Sequence, residues 1–187
     1  ESIESLKIRS SAWQKQKEDD IEKFAEAITE LEKVDIKSEL DAHKRLQKHT
    51  EMQTALRSLQ KEKAYHEDSY TKAKSTVEKT ESDLEYAAQQ KCPTCEQELH
   101  DDKHEQLVSK LKTTLTESKD YAEKLRSDLA KIQQGIDDLG DVGQVPDTYY
   151  DSIDEAYNHK GSLKDLSRQL EQTNDKQDPY AEQIEEL

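Results

Sequence analysis

Residues 51–99 read EMQTALRSLQKEKAYHEDSYTKAKSTVEKTESDLEYAAQQKCPTCEQEL. Met52, Leu56, Leu59, Lys63, His66, Tyr70, Ala73, Val77, Thr80, Leu84 and Ala87 step alternately by four and three. That spacing is a heptad a/d seam, diluted by Lys63, His66 and Thr80. The seam stops just short of Cys92-Pro93-Thr94-Cys95. Upstream, Ile21, Phe24, Ile28 and Leu31 keep the same step. The phase then slips through Val34, Ile36 and Leu40, as at a stutter where a coiled coil locally unwinds.

Residues 1–91 contain no Gly and no Pro. Rich in Glu, Lys, Gln, Ala, Leu and Ser, they read as one long helix or a few nearly continuous ones. Unbroken, that arm would be about 135 Å long. Beyond the cysteines a second seam runs through Leu107, Leu111, Thr114, Ser118, Tyr121, Leu125, Ile132 and Leu139. Asp102 and Glu105 fit a capping box, which sets the helix start near Asp102. Gly140, Gly143 and Pro146 break the pattern. A third run begins near Asp147 and passes through Ile153, Tyr157, Leu163, Leu166, Leu170, Tyr180, Ile184 and Leu187. Asp178-Pro179 interrupts or restarts it.

The C-x-x-C motif lies at the midpoint of the 187 residues. If the chain folds back there, residue n faces roughly residue 188 − n. Leu56 then faces Ile132, Leu59 faces Leu129, Ala73 faces Leu115 and Val77 faces Leu111. Tyr70 falls opposite Ser118, and His66 lies close to Tyr121. The break at 140–146 falls opposite about 42–48, beside the phase slip. The expected fold is all-α: a long antiparallel intramolecular coiled-coil hairpin. Its parts are an ascending arm (1–91), an apex loop (92–101), a descending arm (102–139), a break or bend (140–148) and a second descending stretch (149–187). Trp13 and Phe24 are expected to pack at the open end. Helices pairing with other chains are the alternative.

Composition narrows the function. Hydrophobic residues are 31% and charged residues 38%, too polar for a well-filled globular core. With 28 basic and 43 acidic side chains the net charge is −15, which argues against direct nucleic-acid binding. The charge is uneven: −3 over residues 1–91 and −12 over 92–187. Complementary flanks of the two halves could pair. No run of about 18 apolar residues could span a membrane. The chain begins at Glu1 and looks like a piece of something longer. No Gly-rich phosphate loop is present, and no catalytic constellation can be argued in a rod without a cleft.

Cys92 and Cys95 are the only cysteines, too few for a disulfide framework. Their spacing presents two thiolates to one tetrahedral Zn²⁺, with Pro93 fixing φ at the turn. A structural zinc site needs four ligands. A second copy of the chain would supply the other two across a two-fold axis, giving one Zn²⁺ per two chains. A site closed within one chain would instead use Cys92, Cys95, His100 and His104. A thioredoxin-type redox pair needs a strand before the motif, where a long helix is expected. His43, His49, His66 and His159 sit singly in polar helical runs, where surface or seam packing explains them.

Two heptad arms around Lys91-Cys92-Pro93-Thr94-Cys95-Glu96-Gln97-Glu98-Leu99, followed by Asp101-Asp102, resemble one family. It is the zinc-hook coiled coil of the SMC-like ATPase subunit in double-strand-break repair nuclease complexes. Bacterial SbcC proteins and the large subunit of phage recombination endonucleases belong to it, and C-P-T-C looks most like the phage versions. Many hooks carry Gly after the second Cys, where this chain has Glu96. If that position needs left-handed geometry, Glu costs about 1 kcal/mol more than Gly; the expectation is a conformation open to any residue. Leu99 would pack beside the metal loop or serve as a helix-entry staple.

The resemblance implies an ATPase head built from the parent chain's two ends, beyond Glu1 and Leu187, which binds ATP, a nuclease partner and DNA. The fragment itself would be non-catalytic. It would join two parent molecules as a homodimer through the shared zinc, tether DNA ends and transmit head movements. The compartment implied is cytoplasmic in a bacterium or phage-infected cell, nuclear in a eukaryote. The alternative function is a structural coiled-coil spacer that binds protein partners.

Overall fold

The computed structural model describes residues 2–92, 94–98 and 101–186, the side chain of Asp101 excepted. The fold is all-α. Its helices are α1 (Ile3–Leu31), α2 (Ile36–Ala88), α3 (Asp101–Leu139), α4 (Ile153–Asp175) and α5 (Ala181–Glu185). Among the described residues there is no strand, only one isolated antiparallel bridge between Lys91 and Glu98. None of the described helices is long and apolar enough to cross a membrane. The chain divides into two compact units, Glu1–His49 with Gln144–Leu187, and Thr50–Gly143.

In the first unit α1 packs on α4 and α5. The stripe of α1 that is at least half-buried is Leu6, Ser10, Trp13, Lys17, Ile21, Phe24, Ile28 and Leu31, again at heptad spacing. Trp13 and Phe24 are thus half-buried. The two helices run antiparallel, as three contacts fix. Ser10 donates to Asp178, Lys17 Nζ donates to the carbonyls of Asn174 and Lys176, and His159 Nε2 donates to the Leu31 carbonyl. Lys17 therefore serves carbonyls at the C-terminus of α4, where the helix has no partners of its own. On α4 the buried positions are Ala156, His159 and Thr173. Tyr157, expected on the seam, is 49% exposed.

Three expectations need correction here: the phase slip, the start of the third helix and the cap at Asp102. The ascending arm is a pair of nearly continuous helices, one of the two forms expected, in which α1 stops at Leu31 and α2 restarts at Ile36. The phase slip is a full helix break, because Asp35 is an N-cap. Its carboxylate accepts both the backbone N–H and the hydroxyl of Ser38. The third helix begins at Ile153, not near Asp147. Ser152 and Glu155 form a complete capping box there. Asp102 is not a cap, since α3 has already begun at Asp101. The isolated histidines take packed positions, the second of the two placements expected for them. His43, His49 and His159 are each at most 7% exposed. His66 is half-buried and bonds the carbonyl of Glu62 in its own helix. The Asp178-Pro179 pair both interrupts and restarts: α4 ends before it, and Asp178 accepts the N–H of Tyr180 at the start of α5.

In the second unit every seam position from Met52 to Ala87 is buried or half-buried. Ala73, Thr80 and Ala87 are the most enclosed, so small side chains mark the closest approach. On α3 Leu125 and Ile132 are buried. Tyr121 is 53% exposed and Ala122 is half-buried in its place. Cross-contacts between α2 and α3 run in opposite directions along the two helices. His104 meets Ala87, Lys119 pairs with Glu81 at 2.7 Å, Lys63 donates to Gln133, and Leu59 lies against Gly135.

These contacts sit further along α3 than level pairing predicts. Leu59 reaches Gly135, six residues past Leu129. Gly135 has no side chain to tilt, and six residues are about 9 Å of helix, so the register of the two helices is itself shifted from level pairing, and the tilt of side chains toward the N-terminus of their own helix adds to it. In an antiparallel pair both tilts shift contacts the same way. The Lys119–Glu81 pair, with two long side chains, is displaced most. The His104 contact, to a backbone carbonyl, is displaced least.

At the end of α3, Gly140 adopts φ 66° and donates its N–H to the Asp137 carbonyl. This left-handed cap suits glycine. Gly161 lies inside α4 with open space where a Cβ would stand, and Gly135 would place one 3.5 Å from Leu59. Gly161→Ala and Gly135→Ala should each raise stability by about 1 kcal/mol, and Gly140→Ala should lower it by a similar amount. Urea unfolding of the three variants checks the opposite signs.

Candidate metal centre

The cysteines follow the C-terminus of α2. Gln90 takes φ 58°, its N–H bonds the Ala87 carbonyl, and the Lys91 N–H bonds the Tyr86 carbonyl. This is a Schellman motif with Gln in the place usually held by Gly. The motif turns the chain out of the helix. Lys91 and Glu98 then bridge as an antiparallel pair, and the Cys92 N–H donates to the Gln97 carbonyl at 2.9 Å. Inside this clasp the Glu96 N–H donates to the Cys92 carbonyl at 2.9 Å.

The groups that act on the Cys92 thiol are first the N–H of Thr94 and the N–H of Cys95, then the Cys95 thiol, with the Thr94 hydroxyl adding least. Backbone donors cost nothing in side-chain entropy and favour the thiolate over the thiol. They hold the Cys92 thiol below its ordinary range, against the smaller opposing effect of burial. The thiolate is the form that ligates metal. Cys92 is half-buried and Cys95 exposed, and neither is in a disulfide. A turn that aims two amides at the first sulfur of C-x-x-C and keeps the second sulfur beside it fits a soft divalent cation such as Zn²⁺.

Glu96 has φ 57°. The expectation that this position is open to any residue is thus overturned: the turn needs left-handed geometry. A non-glycine residue there costs about 1 kcal/mol or slightly more. The Lys91–Glu98 clasp imposes it, because the chain must reverse within five residues to bring Gln97 back to Cys92.

His104 is drawn elsewhere. It faces Ala87, and its Nε2–H donates to the Ala87 carbonyl. This clips the first turns of α3 to the last turn of α2, and Ala87 is fully buried beneath it. His104 thus offers no free Nε2 to a metal in this arrangement. Pro93, Leu99 and His100, each given a role from the sequence, lie outside the described residues. Among the described residues no three or more His, Cys, Asp or Glu side chains converge. Cys92 and Cys95 are therefore a two-donor set, and four-coordinate zinc needs two further donors.

The two amide donors at Cys92 belong to the backbone, so no residue type announces them. The left-handed positions carry the opposite of a signal, since Gln90 and Glu96 stand where glycine is usual. Comparison with protein-family models, curated proteins and solved structures finds no match to this chain.

Two outcomes check this geometry. Glu96→Gly should stabilise the protein by about 1 kcal/mol, read as a higher melting temperature. In metal-free protein the alkylation of Cys92, followed by peptide mass spectrometry across pH, should have its midpoint below that of the same residue in urea. Coincident midpoints would mean that the amide donors do not act on the sulfur.

Proposed function

We propose that this chain is the zinc-hook and coiled-coil region of an SMC-like ATPase subunit of double-strand-break repair or recombination. In this reading α2 and α3 form a long antiparallel coiled-coil hairpin with the cysteine turn at its apex. Two chains meet apex to apex about a two-fold axis. Cys92 and Cys95 of each share one Zn²⁺ in a four-cysteine site. Such an interface is isologous, so each chain needs only one C-x-x-C.

The observation that carries the reading is the Cys92–Cys95 turn itself. It is a two-thiol half-site that favours thiolate, set between the end of one long helix and the start of the next. The opposed contacts between α2 and α3 support the hairpin. The engagement of His104 with Ala87 counts against a site closed by histidines within one chain. Structural zinc contributes about 10–16 kcal/mol apparent at neutral pH, enough to hold a dimer whose protein contact is small. Because thiolate is required, the junction would be reversible by acid or chelation.

The fragment would perform no catalysis. The parent would supply an ATPase head, a nuclease partner and the DNA contacts, while the hook tethers two such molecules and thereby DNA ends. A net charge of −15 fits arms that do not themselves hold DNA.

The test is the molar mass and zinc content of one chromatographic peak, before and after a chelator. One zinc per two chains is expected, with the dimer lost on chelation. Cys92→Ser and Cys95→Ser should each abolish the dimer and leave helical content unchanged by circular dichroism. One zinc per monomer would favour an intrachain site instead. No zinc with an unchanged mass would leave a coiled-coil spacer for protein partners.

A further inference from the structure

Cys92 and Cys95 are the only cysteines of the chain. Both are free, Cys92 half-buried and Cys95 exposed. A disulfide can therefore form between the two or with another molecule. The backbone favours the first. The Glu96 N–H on the Cys92 carbonyl closes one turn that contains both cysteines. Residues three apart in a turn keep their Cα atoms within about 7 Å, a separation that a disulfide bridges. The Cys95 thiol is near enough to act directly on the Cys92 sulfur.

Closing that bond leaves the supports of the turn in place. The left-handed residues Gln90 and Glu96 both lie outside the 92–95 ring. The clasp uses the backbone of Cys92 and Gln97 and the Lys91–Glu98 bridge, and none of these groups is a sulfur. His104, bonded to the Ala87 carbonyl, ties α3 to α2 beside the turn. The two helices thus stay joined in either state of the sulfurs.

We propose that Cys92 and Cys95 form a reversible dithiol–disulfide switch, closed by small-molecule disulfides of the glutathione class, which uncouples the zinc junction when it closes. The exposed Cys95 sulfur attacks one sulfur of oxidised glutathione. The glutathione S–S bond breaks and one glutathione thiol leaves. The Cys92 sulfur then attacks the Cys95 sulfur, the mixed disulfide breaks, and the second glutathione thiol leaves. Two electrons pass from the cysteines to glutathione, and the two cysteine protons end on the two released thiols. The disulfide that remains has no thiolate to offer a metal. The uncoupling rests on the shared-zinc reading; the internal disulfide rests on the turn alone.

Intact mass of the metal-free full chain, equilibrated with glutathione, tests the first step. The expected product has lost two hydrogens and is not cross-linked to a second chain. With reduced glutathione at about 0.1 mM, mixed disulfide should stay below about one tenth of the internal form, because a thiol tethered on the same turn has an effective concentration of about 1 mM or more. Cys92→Ser and Cys95→Ser should each stop at the mixed disulfide. Zinc-loaded protein, treated likewise with a zinc indicator present, should release its zinc and its dimer mass as the disulfide forms. A dithiol reductant and added zinc should restore both.

Mixed disulfide as the main wild-type product, or disulfides between chains, would overturn the switch. So would an internal disulfide that leaves zinc and dimer in place. Protein that takes up no zinc yet closes the internal disulfide would overturn the hook, and the uncoupling with it, while establishing the disulfide. A zinc-bound dimer whose metal-free form closes no internal disulfide would overturn the switch alone.

Discussion

Scarcity of apolar surface governs this fold. With 31% hydrophobic residues, each helix can bury only a stripe one or two side chains wide. Burial at about 25 cal/mol per Å² then has to be gathered over length, because no layer is thick enough to gather it in depth. Long helices paired along narrow seams are the solution. Even these seams are thin: Ala73, Thr80 and Ala87 are among the most enclosed positions of the second unit. Small side chains let two backbones approach closely, but they contribute little transfer energy. The first unit supplements its stripe with polar clasps, Ser10 on Asp178 and Lys17 on two carbonyls of α4.

The same scarcity explains where charge goes inside. At the α1–α2 break there is too little apolar material to cover the exposed helix ends and the loop that passes them. Glu39, Tyr150 and His159 take over, each satisfying backbone groups that would otherwise be orphaned. Burial raises the affinity of the Glu39 carboxyl for its proton. The N–H groups of Tyr150 and Tyr149, with His43 beside them, outweigh that and hold it below the ordinary carboxylate range. A carboxylate so placed works as a connector between elements distant in sequence.

At the cysteine turn the backbone is again the main actor. A Schellman cap, a one-bridge clasp and a left-handed residue reverse the chain within a few positions and aim two amides at one sulfur. Strain at Gln90 and Glu96 is accepted where two helices must be joined around a compact turn. The result is a pair of sulfurs on one short turn, with the Cys92 thiol held below its ordinary range.

The sequence by itself determined the helical class, the seam from Met52 to Ala87 and the two-thiol motif. Each is written in residue type and spacing, and spacing survives without knowledge of the partner. It also contained the caps at Asp35 and Ser152, which mark the real helix starts more sharply than the apolar stripe did. The heptad step was clear enough to carry a reading straight across both breaks. Only the tertiary structure decided the offset between α2 and α3, since that depends on how the two helices pack and not on the spacing within either one. It alone turned Tyr121 and Tyr157 outward, buried His43 and His159, and set Glu39 against two backbone amides. Those choices arise from contacts between residues distant in sequence, 110 positions apart for Glu39 and Tyr149 and 128 for Leu31 and His159, and a local pattern carries no record of them.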